Sequence, residues 1–183
     1  MQQKTTAAPV YLFIAFGLWL GISGCEINRE PDFTISYSYE VQQNKKIVTG
    51  SREQNYGADS TYTVTTLSLE EGDNIVFHYQ KNVTARPGIV DGGYSRSIYL
   101  EIPAGTKQFE FHDTKLRQVN TYFTRGCFCP VIGAIPVTDG FIRGEQISGN
   151  LWVIAASLKI NPTVATAFRE SYEVEFDEIF IQK

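Results

Sequence analysis

The chain has 183 residues, with 16 Lys and Arg against 20 Asp and Glu, for a formal net charge of −4. That mildly acidic balance argues against a nucleic-acid partner and against electrostatic docking on anionic lipid. The length suits one domain, with no internal repeat, charge block or low-complexity run to mark a second.

The amino-terminal stretch has the layout of an export signal. Lys4 and the free amino terminus form a positive start, and Val10 to Leu20 is uncharged and apolar. Thirteen helical residues, Val10 to Ile22, would cover about 20 Å, short of a hydrocarbon core roughly 30 Å thick. A cleaved signal therefore fits better than a permanent span. Its last four residues, Ile22-Ser23-Gly24-Cys25, follow a pattern of one aliphatic residue, two small ones and a cysteine.

This tetrapeptide resembles the lipobox of bacterial lipoproteins. The resemblance implies that the Cys25 thiol receives a diacylglycerol, that residues 1–24 are removed, and that the new amino group is acylated. Two or more acyl chains anchor stably where one does not, because each buried CH₂ contributes about 0.8 kcal/mol. Glu26 follows, where an Asp would mark retention in the inner membrane, so the resemblance points to the outer membrane of a Gram-negative cell. The alternative is an ordinary signal peptide followed by a cysteine that enters a disulfide.

Removal of residues 1–24 from 183 leaves 159, and the loss of Lys4 moves the net charge from −4 to −5. Residues 25–32 have no hydrophobic period and suit a short tether; residues 33–183 form the expected domain. From Phe33 to Val41 apolar and polar residues alternate strictly, the mark of a half-buried strand. Lys45 to Thr49 are expected to fold back on it across Gln42-Gln43-Asn44. Ser51 to Ser60 suits a loop, and Thr61 to Leu69 a second strand. Glu71-Gly72-Asp73 marks a turn into Ile75, Phe77 and Tyr79, and a second loop, Asn82 to Ser95, carries Pro87-Gly88 and Asp91-Gly92-Gly93.

Ile98, Leu100 and Ile102 alternate next, followed by a turn at Pro103-Ala104-Gly105 and by Phe109 and Phe111. Val119, Thr121 and Phe123 lead into the cysteine pair. Phe141 to Arg143 and Leu151 to Ile160 are expected to form a hairpin or two around Gly144 and Ser148-Gly149-Asn150, the last strand apolar on both faces and so covered on both, with a buried helix as the alternative for Leu151 to Ile160. Tyr172, Val174 and Phe176 hold one phase while Ile179 and Ile181 hold the other, which predicts a β-bulge at Asp177-Glu178. Eight to ten strands with regular turns predict an all-β fold, a single antiparallel β-sandwich, with a closed barrel as the alternative. Tyr122 to Cys129 and Gly149 to Trp152 are similar to segments of small β-rich envelope lipoproteins, a likeness that carries no activity.

Gly126-Cys127-Phe128-Cys129-Pro130 is the first chemical candidate. On a regular strand two residues at this spacing lie about 6.6 Å apart, at the far edge of disulfide reach, so a bridge needs a curled backbone. A structural disulfide, buried thiols, and soft-metal or thiol redox chemistry at Cys127 and Cys129 all remain open. His78 and His112 fall in strands beside Phe77 and Phe111 and suit structural positions. There is no Gly-x-Ser-x-Gly elbow. Glu173, Glu175 and Asp177 share one strand face, which could serve glycoside hydrolysis but ordinarily is the wet side of a strand. Tyr56 and Tyr94 fall in expected loops, where tyrosines can stack on a sugar or contact a protein.

The functional expectation is a lipid-anchored envelope protein with a binding or structural role, presenting loops to a protein or glycan partner. No cofactor, no catalytic residue and no bound metal is expected. A carboxylate-dependent hydrolase of envelope polysaccharide, with Glu173 or Glu175 as its acid, and a thiol or metal site are the alternatives.

Overall fold

Strict alternation gives each strand one apolar face, and a sheet built from such strands must find a cover for that face. The computed structural model describes residues 33–56, 60–85, 92–127, 133–161 and 171–182. All of them belong to one compact unit, Asp32–Lys183. The strands are β1 (Phe33–Tyr56), β2 (Ser60–Ala85), β3 (Tyr94–Pro103), β4 (Gln108–His112), β5 (Tyr122–Cys127), β6 (Ile135–Pro136), β7 (Gly140–Ser148), β8 (Leu151–Ile160) and β9 (Tyr172–Gln182). A 3₁₀ helix, Asp113–Val119, lies between β4 and β5. Among the described residues no helix is long and apolar enough to cross a membrane.

The strands form one nine-stranded sheet in the order β4-β7-β8-β9-β1-β2-β3-β5-β6. Laid flat, β4 and β2 would sit five strand spacings apart, about 24 Å. Yet the rings of Phe77 on β2 and Phe109 on β4 are 5.7 Å apart, and Phe77 lies 5.0 Å from Trp152 of β8. The sheet is therefore folded onto itself. One layer is β4-β7-β8-β9, the other β1-β2-β3-β5-β6, and the core lies between them. This is the expected all-β sandwich, and it does not close into a barrel.

The fold line runs between β9 and β1, and it departs from the purely antiparallel expectation. These two strands are parallel and share only two residue pairs, Glu40↔Ile181 and Val41↔Gln182. All other pairings are antiparallel. At Val41 the strands meet and the side chain is fully buried; towards Phe33 they separate, and Phe33, Ile35 and Tyr37 stand about half exposed.

The expected hairpin over Phe33 to Thr49 does not form. β1 continues through Asn44, which adopts a left-handed φ of 56°, and Lys45 to Tyr56 pair with Ser60 to Glu71 of β2. Glu71-Gly72-Asp73 is no turn: Lys45 pairs with both Glu71 and Asn74, so Gly72 and Asp73 bulge out of the ladder. This bulge lets the distal half of the hairpin fold over the outer side of β3 and β5, where Arg52 and Val64 to Leu67 border one hollow with Tyr99 and Thr124. Val76, Ser97 and Glu101 face away from the main core and are nonetheless buried beneath it. The chain after β5 also touches this arm, with the Ala134 N–H donating to the Thr65 carbonyl at 2.7 Å. A Cβ at Gly133 would stand 2.6 Å from that oxygen, so only glycine permits the approach.

Glu101 fastens the bend. Its buried carboxylate accepts hydrogen bonds from the Ile47 backbone N–H at 2.8 Å, from the Asn74 side-chain amide, and from the Asn120 side-chain amide at 3.1 Å. Asn120 ends the 3₁₀ helix in a left-handed conformation, so one carboxylate joins β3 to both strands of the bend and to the helix end.

Two further expectations are corrected. Val119 belongs to the 3₁₀ helix, and the strand before the cysteines begins at Tyr122. β9 has no bulge at Asp177-Glu178; its register against β8 is unbroken from Tyr172 to Ile181. Phe180 keeps the core phase, while Ile179 and Ile181 sit about half exposed on the outer face.

Replacing Glu101 by Ala orphans three donors, each costing about 1–3 kcal/mol if it stays buried. Urea unfolding followed by Trp fluorescence should register a loss of roughly 3 kcal/mol or more, and Glu101→Gln, which keeps one acceptor oxygen, a smaller one. An Ala variant within about 0.5 kcal/mol of wild type would mean the clamp holds nothing.

Candidate functional site

Where β1 and β9 part, the inward strand positions among the described residues change character. Register aligns Tyr37 (β1), Lys81 (β2), Arg96 (β3) and Arg125 (β5) in one row across the sheet. They share the phase of Tyr79, Ile98 and Phe123, which line the core one step deeper. Three cations thus occupy positions that alternation reserves for apolar side chains. The next row outward holds Ile35, Val83, Tyr94 and Cys127.

Arg96 and Arg125 stand directly opposite each other, an arrangement that like charges make unfavourable. Tyrosine faces partly offset it. The Arg96 guanidinium lies 4.9 Å from the Tyr94 ring centroid and 4.4 Å from that of Tyr172; Arg125 lies 5.6 Å from each. An Arg125 Nη1–H also donates to the Tyr172 hydroxyl at 2.5 Å. Tyr172 opens β9, so the stack ties both layers together. Lys81 sits 5.7 Å from the Tyr37 ring. Among the described residues no ion pair reaches Lys81, Arg96 or Arg125, and the Nε–H groups of both arginines are buried without an acceptor.

Beneath this row lies an aromatic floor. Tyr39 and Tyr79 are 5.7 Å apart, Tyr79 stacks on Phe176 at 4.6 Å, and Tyr39 meets Phe180 edge-on at 5.4 Å. Burial, reinforced by a hydrogen bond to Glu178, pushes the Tyr39 hydroxyl up to about 12. Burial likewise pushes Tyr79 up to about 12, although Arg96 pulls the other way.

The residues expected to act distribute unevenly. Tyr94 is in the cleft but opens β3 rather than lying in a loop. Tyr56 closes β1, so it too is a strand residue, and register sets it at the far end of β1 from Tyr94. Cys127 is disulfide-bonded and pairs across the sheet with Tyr94; Cys25 and Cys129 lie outside the described residues. Of the expected tyrosines and cysteines, Tyr94 and Cys127 alone are brought side by side among the described residues. Glu173 and Glu175 stand exposed on the outer side of β9, with Glu175 accepting from the Ser157 hydroxyl at 3.2 Å. Asp177 borders an outer hollow of about 350 Å³ with Glu110, Arg143 and Glu145. His112 is exposed and bonds Glu110 at 2.8 Å; the His78 ring stacks on Tyr99 at 4.4 Å. No group of three or more metal-ligating side chains occurs among the described residues.

Sequence reasoning passed over Lys81, Arg96, Arg125 and Tyr172. Their signal was a charged residue continuing an inward apolar phase, as in Phe77-x-Tyr79-x-Lys81 and Phe123-x-Arg125. No family model, no curated protein and no solved structure matches this chain.

The tyrosine floor makes a pH prediction. Each raised hydroxyl keeps its proton in the folded state beyond the point, about pH 10, at which the unfolded chain releases it. Their contribution to stability is therefore whole below pH 10 and is lost as pH rises through about 12. Ultraviolet titration should show Tyr39 and Tyr79 among the last tyrosines to ionise, near pH 12, and Tyr39→Phe together with Tyr79→Phe should diminish that late step. All tyrosines ionising together around pH 10 would contradict the packing.

Proposed function

We propose that this chain is a lipid-anchored protein of the bacterial cell envelope whose sandwich binds a glycan at the Arg96–Arg125 row. The anchor rests on Ile22-Ser23-Gly24-Cys25 and on the apolar run before it. The binding role rests on the cleft, where tyrosine rings offer stacking faces and arginine and lysine offer donors, the combination that suits a ring bearing hydroxyl or charged groups. The single observation that carries it is the Arg96–Arg125 pair held between Tyr94 and Tyr172.

Chain connection favours the same reading. β1 begins at the same end of the sheet as Tyr94 and Cys127, so the proposed anchor and the proposed site are joined by the amino-terminal end of β1. Glu173 and Glu175 face outward on β9, on the opposite face of that strand from Tyr172.

Two measurements on the full chain expressed in a Gram-negative host test the proposal. Mass spectrometry of the membrane fraction should find residues 1–24 gone and diacylglycerol on Cys25, with Cys25→Ala left unprocessed. The detergent-solubilised protein should bind envelope oligosaccharides on an array, with Tyr94→Ala weakening binding about five- to tenfold, as expected for one lost aromatic face. An intact leader or an unmodified Cys25 would refute the anchor. Absence of glycan binding would refute the role.

A further inference from the structure

The cleft restricts what kind of glycan would fit. Resting on the glycan reading, we infer that the recognised group is an oxyanion, a carboxylate or phosphate carried on a sugar, seated between the guanidiniums of Arg96 and Arg125. A structural cation–π stack needs only one cation between Tyr94 and Tyr172. A second guanidinium directly across the ladder adds repulsion that stacking alone does not justify. Lys81, the next residue in the same row, adds a third positive charge.

Among the described residues the row of cations has no carboxylate paired with it, and the two orphaned Nε–H groups leave the donor set unsatisfied. The chain as a whole is negative, at −4, so the positive field is local to the cleft. An anion entering it neutralises the repulsion and meets planar donor forks that suit carboxylate and phosphate oxygens. The forks are also oriented in advance: Tyr94 and Tyr172 lie against both guanidiniums, and Tyr172 hydrogen-bonds Arg125. That lowers the ordering cost of binding.

The test compares three matched oligosaccharides, one bearing uronic acids, one bearing phosphate and one neutral, against the full-length protein and the variants Arg96→Gln, Arg125→Gln and Arg125→Lys. One or both acidic probes should bind at least tenfold more tightly than the neutral one, and the tighter of the two identifies the oxyanion. Either Gln variant should abolish that margin and Arg125→Lys should keep part of it, since Lys retains the charge without the fork. The melting temperature of the unliganded Gln variants should fall only modestly, since the lost Tyr172 stack and hydrogen bond are partly offset by relief of the like-charge contact. Equal binding of acidic and neutral probes that still depends on Tyr94 would overturn the oxyanion and leave the glycan reading standing. A preference that survives both Gln variants would place the anion elsewhere and overturn the inference. Binding of none of the three would overturn both readings together.

Discussion

A single sheet of nine strands can bury its apolar face only by turning over on itself, and here the turn rests on two residue pairs between β1 and β9. Because these strands run parallel and touch only near Val41, they diverge from that point towards Phe33 and Tyr172. Around that contact Trp152, Phe123 and Phe180 are buried between the two layers. Further towards Phe33, the last inward positions of β1, β2, β3 and β5 lie between core and solvent. Polar-tipped and charged side chains with long apolar stems suit that boundary, and Tyr37, Lys81, Arg96, Arg125 and Tyr172 occupy it.

The other end of the long hairpin meets a related constraint. β1 and β2 run well past the sandwich, and exposed edges of that length invite pairing with other chains. The bulge opposite Lys45 turns the arm back over the outer side of β3, and Glu101 holds it there with three donors from separate segments. Part of the domain thus has three layers, with a small second interior at Ile47, Val64 and Val76. Both ends of this hairpin are shaped by where strand pairing stops and bends.

Much of the architecture was legible in the amino-acid order because alternation is a direct consequence of strand geometry. Phe33 to Val41, Ile98 to Ile102 and Leu151 to Ile160 were each assigned to strands, and the turns at Gly105 and at Gly149-Asn150 are where Gly and Asn placed them. What failed were the places where local signals carry two meanings. Gly72 looks the same in a turn and in a bulge. Ile179 and Ile181 suggested a phase slip because exposed isoleucine was taken to be buried, while Phe180 between them held the core phase. Asp113 to Val119 shows too short a period to betray a 3₁₀ helix.

The cleft was only half legible. Tyr94 and Cys127 stood out singly, but their adjacency depends on the β3–β5 register, which no local pattern reveals. Lys81, Arg96 and Arg125 looked like surface charges until the sheet brought them into one row. The most direct measurement of whether the Arg96–Arg125 row is the binding site is an NMR titration of the isotopically labelled protein with an acidic envelope oligosaccharide. Resonances of Tyr37, Tyr94, Arg96, Arg125 and Tyr172 should move together and saturably. Shifts clustered instead around Val153 and Ile179 on the outer face, or along the hairpin arm, would contradict the account.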